Sequence, residues 1–322
     1  MRVLYFDGSR VFLDHHYPAP EPRKNEALLK ILLAGICDTD LQIVAGYMQY
    51  KGILGHEFVA RVERAQDSTW LGQTVVGEIN ISCGSCEQCR TGLGNHCSHR
   101  SVLGILNKDG ILAEYATLPL SNLRIVPPSL APQQAVFCEP LAAAVQISNQ
   151  IQIQPTARVL LLGDGKLGSL IAQTLALTGC DLTVLGRHPA KLNDLLKHTA
   201  NITVQTELSS RYDRTFDVVV EATGRSQGLQ LACRYVKPRG TVIMKSTLSH
   251  RDNIDLNKVV IDEITIIGSR CGPFSAALRL LESRKVQTDF LIEAIMPLSQ
   301  GEEAFQQASK RGSKKILIDP TR

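Results

Sequence analysis

The chain has 322 residues and a formal net charge of +4; 44% of its residues are hydrophobic, 20% charged and 5% aromatic. Those proportions exclude a disordered, collagenous or coiled-coil polypeptide and suit a globular protein of about two domains. No apolar run approaches the ~18 residues of a membrane span, no basic-then-apolar leader opens the sequence, and no concentrated basic patch points to nucleic acid. A cytoplasmic protein without membrane or nucleic-acid partners is expected.

The first half is punctuated by Gly and Pro, and short apolar runs predict strands at 27–33, 58–62 and 74–76. A helix is expected to start near Phe137. From about Arg158 strands alternate with helices: strands at 158–162, 182–185, 202–204, 216–220, 241–244 and 265–268, helices at 166–178, 189–197 and 227–236. Gly179 reads as the residue that ends the first of these helices. Six strands with helical crossovers predict an α/β doubly wound parallel sheet. Helices at 275–283 and 300–310 and a strand at 315–318 close the chain.

Nine cysteines in a long chain do not suggest a disulfide framework. Four of them, Cys83, Cys86, Cys89 and Cys97, crowd into one segment with Gly84, Gly92 and Gly94, which let the chain turn back on itself. Four thiolates at this spacing suit a tetrahedral, structural Zn²⁺ with no open position. Cys180, Cys233 and Cys271 read as small buried apolar residues.

Gly163, Gly165 and Gly168 lie between a predicted strand and a predicted helix. Gly163 permits a tight turn, Gly165 lets the backbone approach a pyrophosphate, and Gly168 allows close packing of helix on strand. Lys166 and Leu167 then open a helix whose free N–H groups favour phosphate. Where an NAD-binding protein usually carries Asp or Glu, this chain has Gly186 followed by Arg187. A guanidinium without a competing carboxylate suits a 2′-phosphate, so NADP(H) is expected over NAD(H). Lys245, at the carboxyl end of a predicted strand, reads either as a contact to cofactor or acidic substrate or as a lysine reaching to solvent; Arg270 and Lys315 are further candidates for the pyrophosphate.

Unusual polar residues stand among apolar ones at Cys37, Asp38, Thr39 and Asp40, at His56 and Glu57, and at Cys138 and Glu139. His15, His16, His96, His99, His188, His198 and His250 read as ordinary hydrogen-bonded histidines; His56 stands apart through its company. Cys37 with Thr39 and Asp40, then Gly55-His56-Glu57, the four-cysteine lobe, Glu139-Pro140-Leu141 and the glycine turn come in the order found in zinc-dependent medium-chain alcohol dehydrogenases. The sequence resembles that family over nearly its whole length, and Glu139-Pro140-Leu141 is most similar to its polyol and threonine dehydrogenase branch.

The resemblance implies a GroES-like catalytic domain over 1–148 with the structural zinc lobe at 83–97, a Rossmann domain over 149–283, and a return to the catalytic domain over 284–322. It implies two zinc ions per chain, the catalytic one held by Cys37, His56 and Glu139, with Glu57 close enough to exchange as a ligand. Glu57 reads equally as a carboxylate behind the ligands, and Cys138 is an alternative to Glu139. Zinc with three protein ligands and an open position favours hydride exchange between an alcohol or carbonyl and a nicotinamide. Thr39 could relay the substrate proton and Asp40 could orient His56. Family members commonly form dimers or tetramers, so a homo-oligomer acting on a small molecule is expected.

Two departures stand out. Many relatives carry a histidine five residues after the ligand cysteine, where this chain has Gln42, which does not titrate near neutrality. Only eighteen residues separate Cys37 from His56, so loops that shape the substrate pocket are trimmed. The competing expectations are the same chemistry with NAD(H), or a zinc-stabilised nucleotide sensor without turnover.

Overall fold

The structure is a computed structural model that describes residues 1–247 and 255–322, so His250 lies outside the described residues. The chain divides into two compact units, the first Met1–Glu139, Phe274–Ser283 and Leu291–Arg322, the second Pro140–Pro273 and Arg284–Phe290. The break at Glu139/Pro140 precedes the expected 148/149 boundary, and Phe274–Ser283 groups with the first unit rather than the second. Among the described residues no helix is long and apolar enough to cross a membrane.

The first unit is built on a seven-stranded sheet. Its centre is the long strand Glu26–Gly35, which pairs antiparallel with Glu57–Ala65 on one side and with Tyr115–Pro119 and Lys315–Asp319 on the other. The alternation of apolar residues buries Ala27, Leu29, Ile31 and Leu33. Register aligns Gly35 with Glu57 across one ladder and with Leu317 across the other, so three distant segments end together.

The second unit holds six parallel strands in the order Ile202–Gln205, Asp181–Leu185, Arg158–Leu162, Phe216–Glu221, Val236–Met244, Thr265–Gly268. Strand order reverses between Arg158–Leu162 and Phe216–Glu221, the switch point beside which doubly wound folds bind ligands. Leu160, Leu162, Val219 and Val242, all buried, pack against Ala232 and Tyr235 of the Gly228–Tyr235 helix. Most expected elements fall within a residue or two of those observed. The exception is Val236–Met244, which starts well before 241 because its first half carries the ladder past Pro238 through a bulge against Phe216.

Candidate active site and cofactor cradle

The Asp38–Val44 helix starts at Cys37, whose backbone N–H donates to Asp40 Oδ2 at 2.8 Å. Asp40 is fully buried; its other oxygen accepts from Gly55 N at 3.1 Å and lies 3.3 Å from His56 Nδ1. One carboxylate thus fixes both segments that carry metal-type donors. It also faces Nδ1 of His56, leaving the other ring nitrogen for a ligand's role, as a carboxylate behind a metal-bound histidine does.

Ligand atoms of Cys37, His56 and Glu57 lie within 4.8 Å of one another. Glu57 is buried, and its Oε2 accepts from Lys315 Nζ at 2.5 Å while Oε1 is buried without a hydrogen-bond partner among the described residues. Gly35 is required here, because a Cβ would stand 2.5 Å from Glu57 Oε2 and 3.4 Å from Lys315 Cδ. The charges are tightly interlocked. Desolvation and then the Glu57 charge push the Cys37 thiol up, against His56 and Lys315. Burial pulls His56 down, but Asp40 and Cys37 outweigh it and leave the imidazole well above its ordinary range. A divalent cation bound here would replace those protons, and the orphaned Glu57 oxygen offers it a further lone pair. Sulfur, imidazole and carboxylate together fit zinc.

Glu139, the expected third ligand, does not belong to that group, and Cys138 is turned away, buried with its Sγ 3.7 Å from Phe274 O. Thr39 is half-buried on the first turn of the same helix that Cys37 caps. Lys315 is a correction: expected at the pyrophosphate, it is instead fully enclosed, donating to Glu57 and to Ile36 O. An ammonium buried against a carboxylate has no reach left for a phosphate in solvent.

In the cysteine lobe the four sulfurs also lie within 4.8 Å of one another, with Cys86–Cys89 at 3.4 Å, Cys86–Cys97 at 3.7 Å and Cys83–Cys89 at 4.0 Å. A tetrahedron with ~2.3 Å zinc–sulfur arms has edges of about 3.8 Å, so the donors fit a closed zinc site. Backbone N–H groups of Cys83 and His99 point at Cys97 Sγ.

The three glycines of the turn in the second unit differ in the space around them. A Cβ at Gly163 would meet Ala222 O at 2.5 Å and one at Gly168 would meet Gly163 O at 2.3 Å, whereas one at Gly165 would meet nothing within 4 Å. The open side of Gly165 faces the N-terminus of Lys166–Ala176, where Lys166 and Leu167 are half-buried. At the end of Asp181–Leu185, Gly186 is buried and Arg187 is exposed. Arg270 is exposed just beyond Thr265–Gly268. Lys245 needs correction. Its Nζ donates to Ala143 O (2.7 Å), Arg270 O (3.1 Å) and Ser269 Oγ (3.2 Å), so its donors fasten the chain around it instead of meeting a ligand.

Two buried carboxylates escaped the sequence reading. Glu221 Oε1 accepts from Thr223 N, Thr223 Oγ1 and Ser246 Oγ, tying the ends of two central strands together. Asp164, between the first two glycines, accepts from the backbone N–H of Arg187 (2.8 Å) and His188 (2.7 Å). Its position inside the turn was the only signal available.

A dinucleotide cradle in one unit and two metal donor sets of different character in the other are the marks of a metal-dependent dehydrogenase. Comparison with known proteins agrees. Residues 23–128 match the alcohol dehydrogenase GroES-like domain and residues 167–283 match the zinc-binding dehydrogenase family. The chain belongs to the zinc-dependent medium-chain dehydrogenase/reductase family and is an alcohol dehydrogenase of that family. D-arabinitol dehydrogenase 1 of Uromyces fabae is 28% identical, with 99% of this chain and 97% of that protein covered. Sorbitol dehydrogenase of Bacillus subtilis is also 28% identical, over 100% and 98% of the two chains. Among solved structures, a Sinorhizobium meliloti protein described as a zinc-binding dehydrogenase bound to NADP superposes with a TM-score of 0.88 at 26% identity, covering 99% of each chain. Alcohol dehydrogenase TADH of Thermus sp. ATN1 gives 0.87 at 27%, again over 99% of each.

Proposed function

We propose that this enzyme transfers hydride between NADP(H) and a polyol or similar secondary alcohol, or the corresponding carbonyl. The observation that carries the reading is the grouping of Cys37, His56 and Glu57 around a buried, unpartnered carboxylate oxygen. Relatives that act on arabinitol and sorbitol support the polyol substrate class. When bound at these donors, zinc would supply Lewis acidity toward a hydroxyl or carbonyl oxygen.

The chain's own residues do the rest. Asp40 holds Cys37 and His56 in place and Lys315 holds Glu57 beside them; these donors would hold the zinc, with Glu139 or Glu57 as its third ligand. Thr39 relays the substrate proton; Gln42 does not titrate, so the route beyond it needs water or another group. Gly163, Gly165 and Gly168 with the Lys166 and Leu167 amides seat the pyrophosphate, and Arg270 adds charge there. The exposed Arg187 favours NADP(H) over NAD(H).

Exposed Val260, Ile261 and Ile266 beside the edge of Thr265–Gly268, which no strand among the described residues pairs, support a homo-oligomer, dimer or tetramer. Nine cysteines, none in a disulfide among the described residues, support a reducing, cytoplasmic setting. Metal analysis with activity tests the core of the proposal: two zinc ions per chain are expected, one removed by a chelator together with turnover. One tightly held zinc and no turnover on any alcohol would favour a nucleotide sensor instead.

A further inference from the structure

The carboxylate of Asp164 lies where the side chain of residue 186 would begin. A Cβ on Gly186 would stand 2.6 Å from Asp164 Cβ and 2.7 Å from Asp164 Oδ2. Position 186, at the end of the second strand of the fold, is where doubly wound dinucleotide sites usually place the acidic residue that binds the adenosine ribose. The glycine at 186 therefore has a structural cause: it makes room for an acid delivered from the glycine turn.

We infer that Asp164 is the ribose-site carboxylate of this enzyme and a determinant of its cofactor specificity, acting against Arg187. The inference rests on the nicotinamide-dinucleotide reading above. Asp164 is buried, yet its Oδ2 accepts from both Arg187 N and His188 N, and both oxygens lie 3.1 Å from His188 Nδ1. Those two amides lead into the Pro189–His198 helix, an end that would otherwise attract an external anion. An internal anion already occupies them. His188 is turned by the same contact so that its Nε2 is buried with no hydrogen-bond partner among the described residues, a polar atom open to one from a ligand.

The consequences for the two cofactors are opposite. A ribose 2′-hydroxyl can donate to a carboxylate, whereas a 2′-phosphate meets a fixed like charge that the Arg187 guanidinium must offset. Selectivity for NADP(H) is thus narrowed by Asp164 and widened by Arg187. Removing the acid while keeping a hydrogen-bond acceptor for the two amides shifts discrimination toward the phosphorylated nucleotide.

The test is calorimetric titration of the whole enzyme with adenosine 5′-monophosphate and adenosine 2′,5′-bisphosphate, which differ only at the 2′ position. In Asp164→Asn and Asp164→Ser the ratio of dissociation constants, bisphosphate over monophosphate, should fall by about tenfold, and less at high salt. Thermal melting of each variant without ligand separates this from loss of fold, and either variant suffices. An unchanged ratio overturns the inference and leaves Asp164 a fastener of its loop. Arg187→Ala is the independent arm: if it leaves the ratio unchanged while the Asp164 variants lower it, the NADP(H) preference fails and the role of Asp164 stands. If Arg187→Ala raises the ratio and the Asp164 variants do nothing, the reverse holds.

Discussion

The two metal donor sets of the first unit use similar atoms in opposite surroundings. The cysteine lobe is assembled from one short segment at the surface, with Cys83 exposed and Cys86 and Cys89 half-buried. Local hydrogen bonds prepare it: the Ser85 backbone and hydroxyl hold the Cys83 thiol down at about 5, and the Cys89 backbone holds Cys86 at about 7, while desolvation pushes Cys89 up to about 11. The Cys37 cluster draws its donors from two segments, at Cys37 and at His56-Glu57, and sets their charges against buried partners, Asp40 and the distant Lys315. A site made of neighbours can only be a clasp. A site whose donors are held by residues that are not themselves donors can lose or exchange a ligand without falling apart, which turnover requires.

The sharpest way to break that contrast is to remove one donor from each set. His56→Gln, which removes the ligand imidazole but keeps a donor for the buried Asp40 carboxylate, should lower turnover by about three orders of magnitude or more, since a Lewis acid is worth several kcal/mol to the transition state. Its unfolding midpoint should barely move, and zinc should fall from two to one per chain. Cys89→Ser should do the reverse, lowering the midpoint by about 5 °C or more while the folded fraction still turns over. Metal content, melting and activity measured on the same samples decide between them. A His56 variant that melts early, or a Cys89 variant that is inactive though folded, would erase the distinction.

Next in size is the Glu57–Lys315 pair. Burial lowers the affinity of Lys315 for its proton, but the Glu57 charge more than compensates, leaving it above the ordinary lysine range. A raised folded-state value means the pair's contribution is fully present below the free lysine range and lost only in strong alkali. Lys315→Met strands a buried carboxylate and should cost about 3–5 kcal/mol in urea unfolding, whereas Lys315→Met with Glu57→Leu should recover most of it. No recovery in the double variant would mean that Lys315 acts through packing alone.

These residues also mark where sequence reasoning stops. The cysteine lobe, the glycine turn and the alternation of strands and helices rest on short spacings, which a single sequence displays directly. Lys315 meets Glu57 across 258 positions, and only the register of Glu26–Gly35 between its two neighbours brings them together. Asp164 carries no local sign that its side chain spans to Arg187 and His188. Lys245 sat at the right end of the right strand, yet the carbonyls of Ala143 and Arg270 claim it. Val236–Met244 starts ahead of the expected 241 because a bulge against Phe216 carries the ladder past Pro238, and no local spacing displays that bulge.

The smallest expected effect concerns the cradle and tests whether the three sites are separable. The backbone of Arg187 is fixed by Asp164, while its side chain is exposed, so Arg187→Asp changes charge without moving the chain. The Michaelis constant for NADPH should rise by about tenfold or more, with little change for NADH, because one charge-assisted phosphate contact becomes a repulsion. Zinc content and melting should match the unaltered enzyme. Equal effects on both cofactors would place the guanidinium on the common part of the dinucleotide and remove the ground for an NADP(H) preference. A loss of zinc would be the more telling failure, because it would couple the cradle to the metal sites.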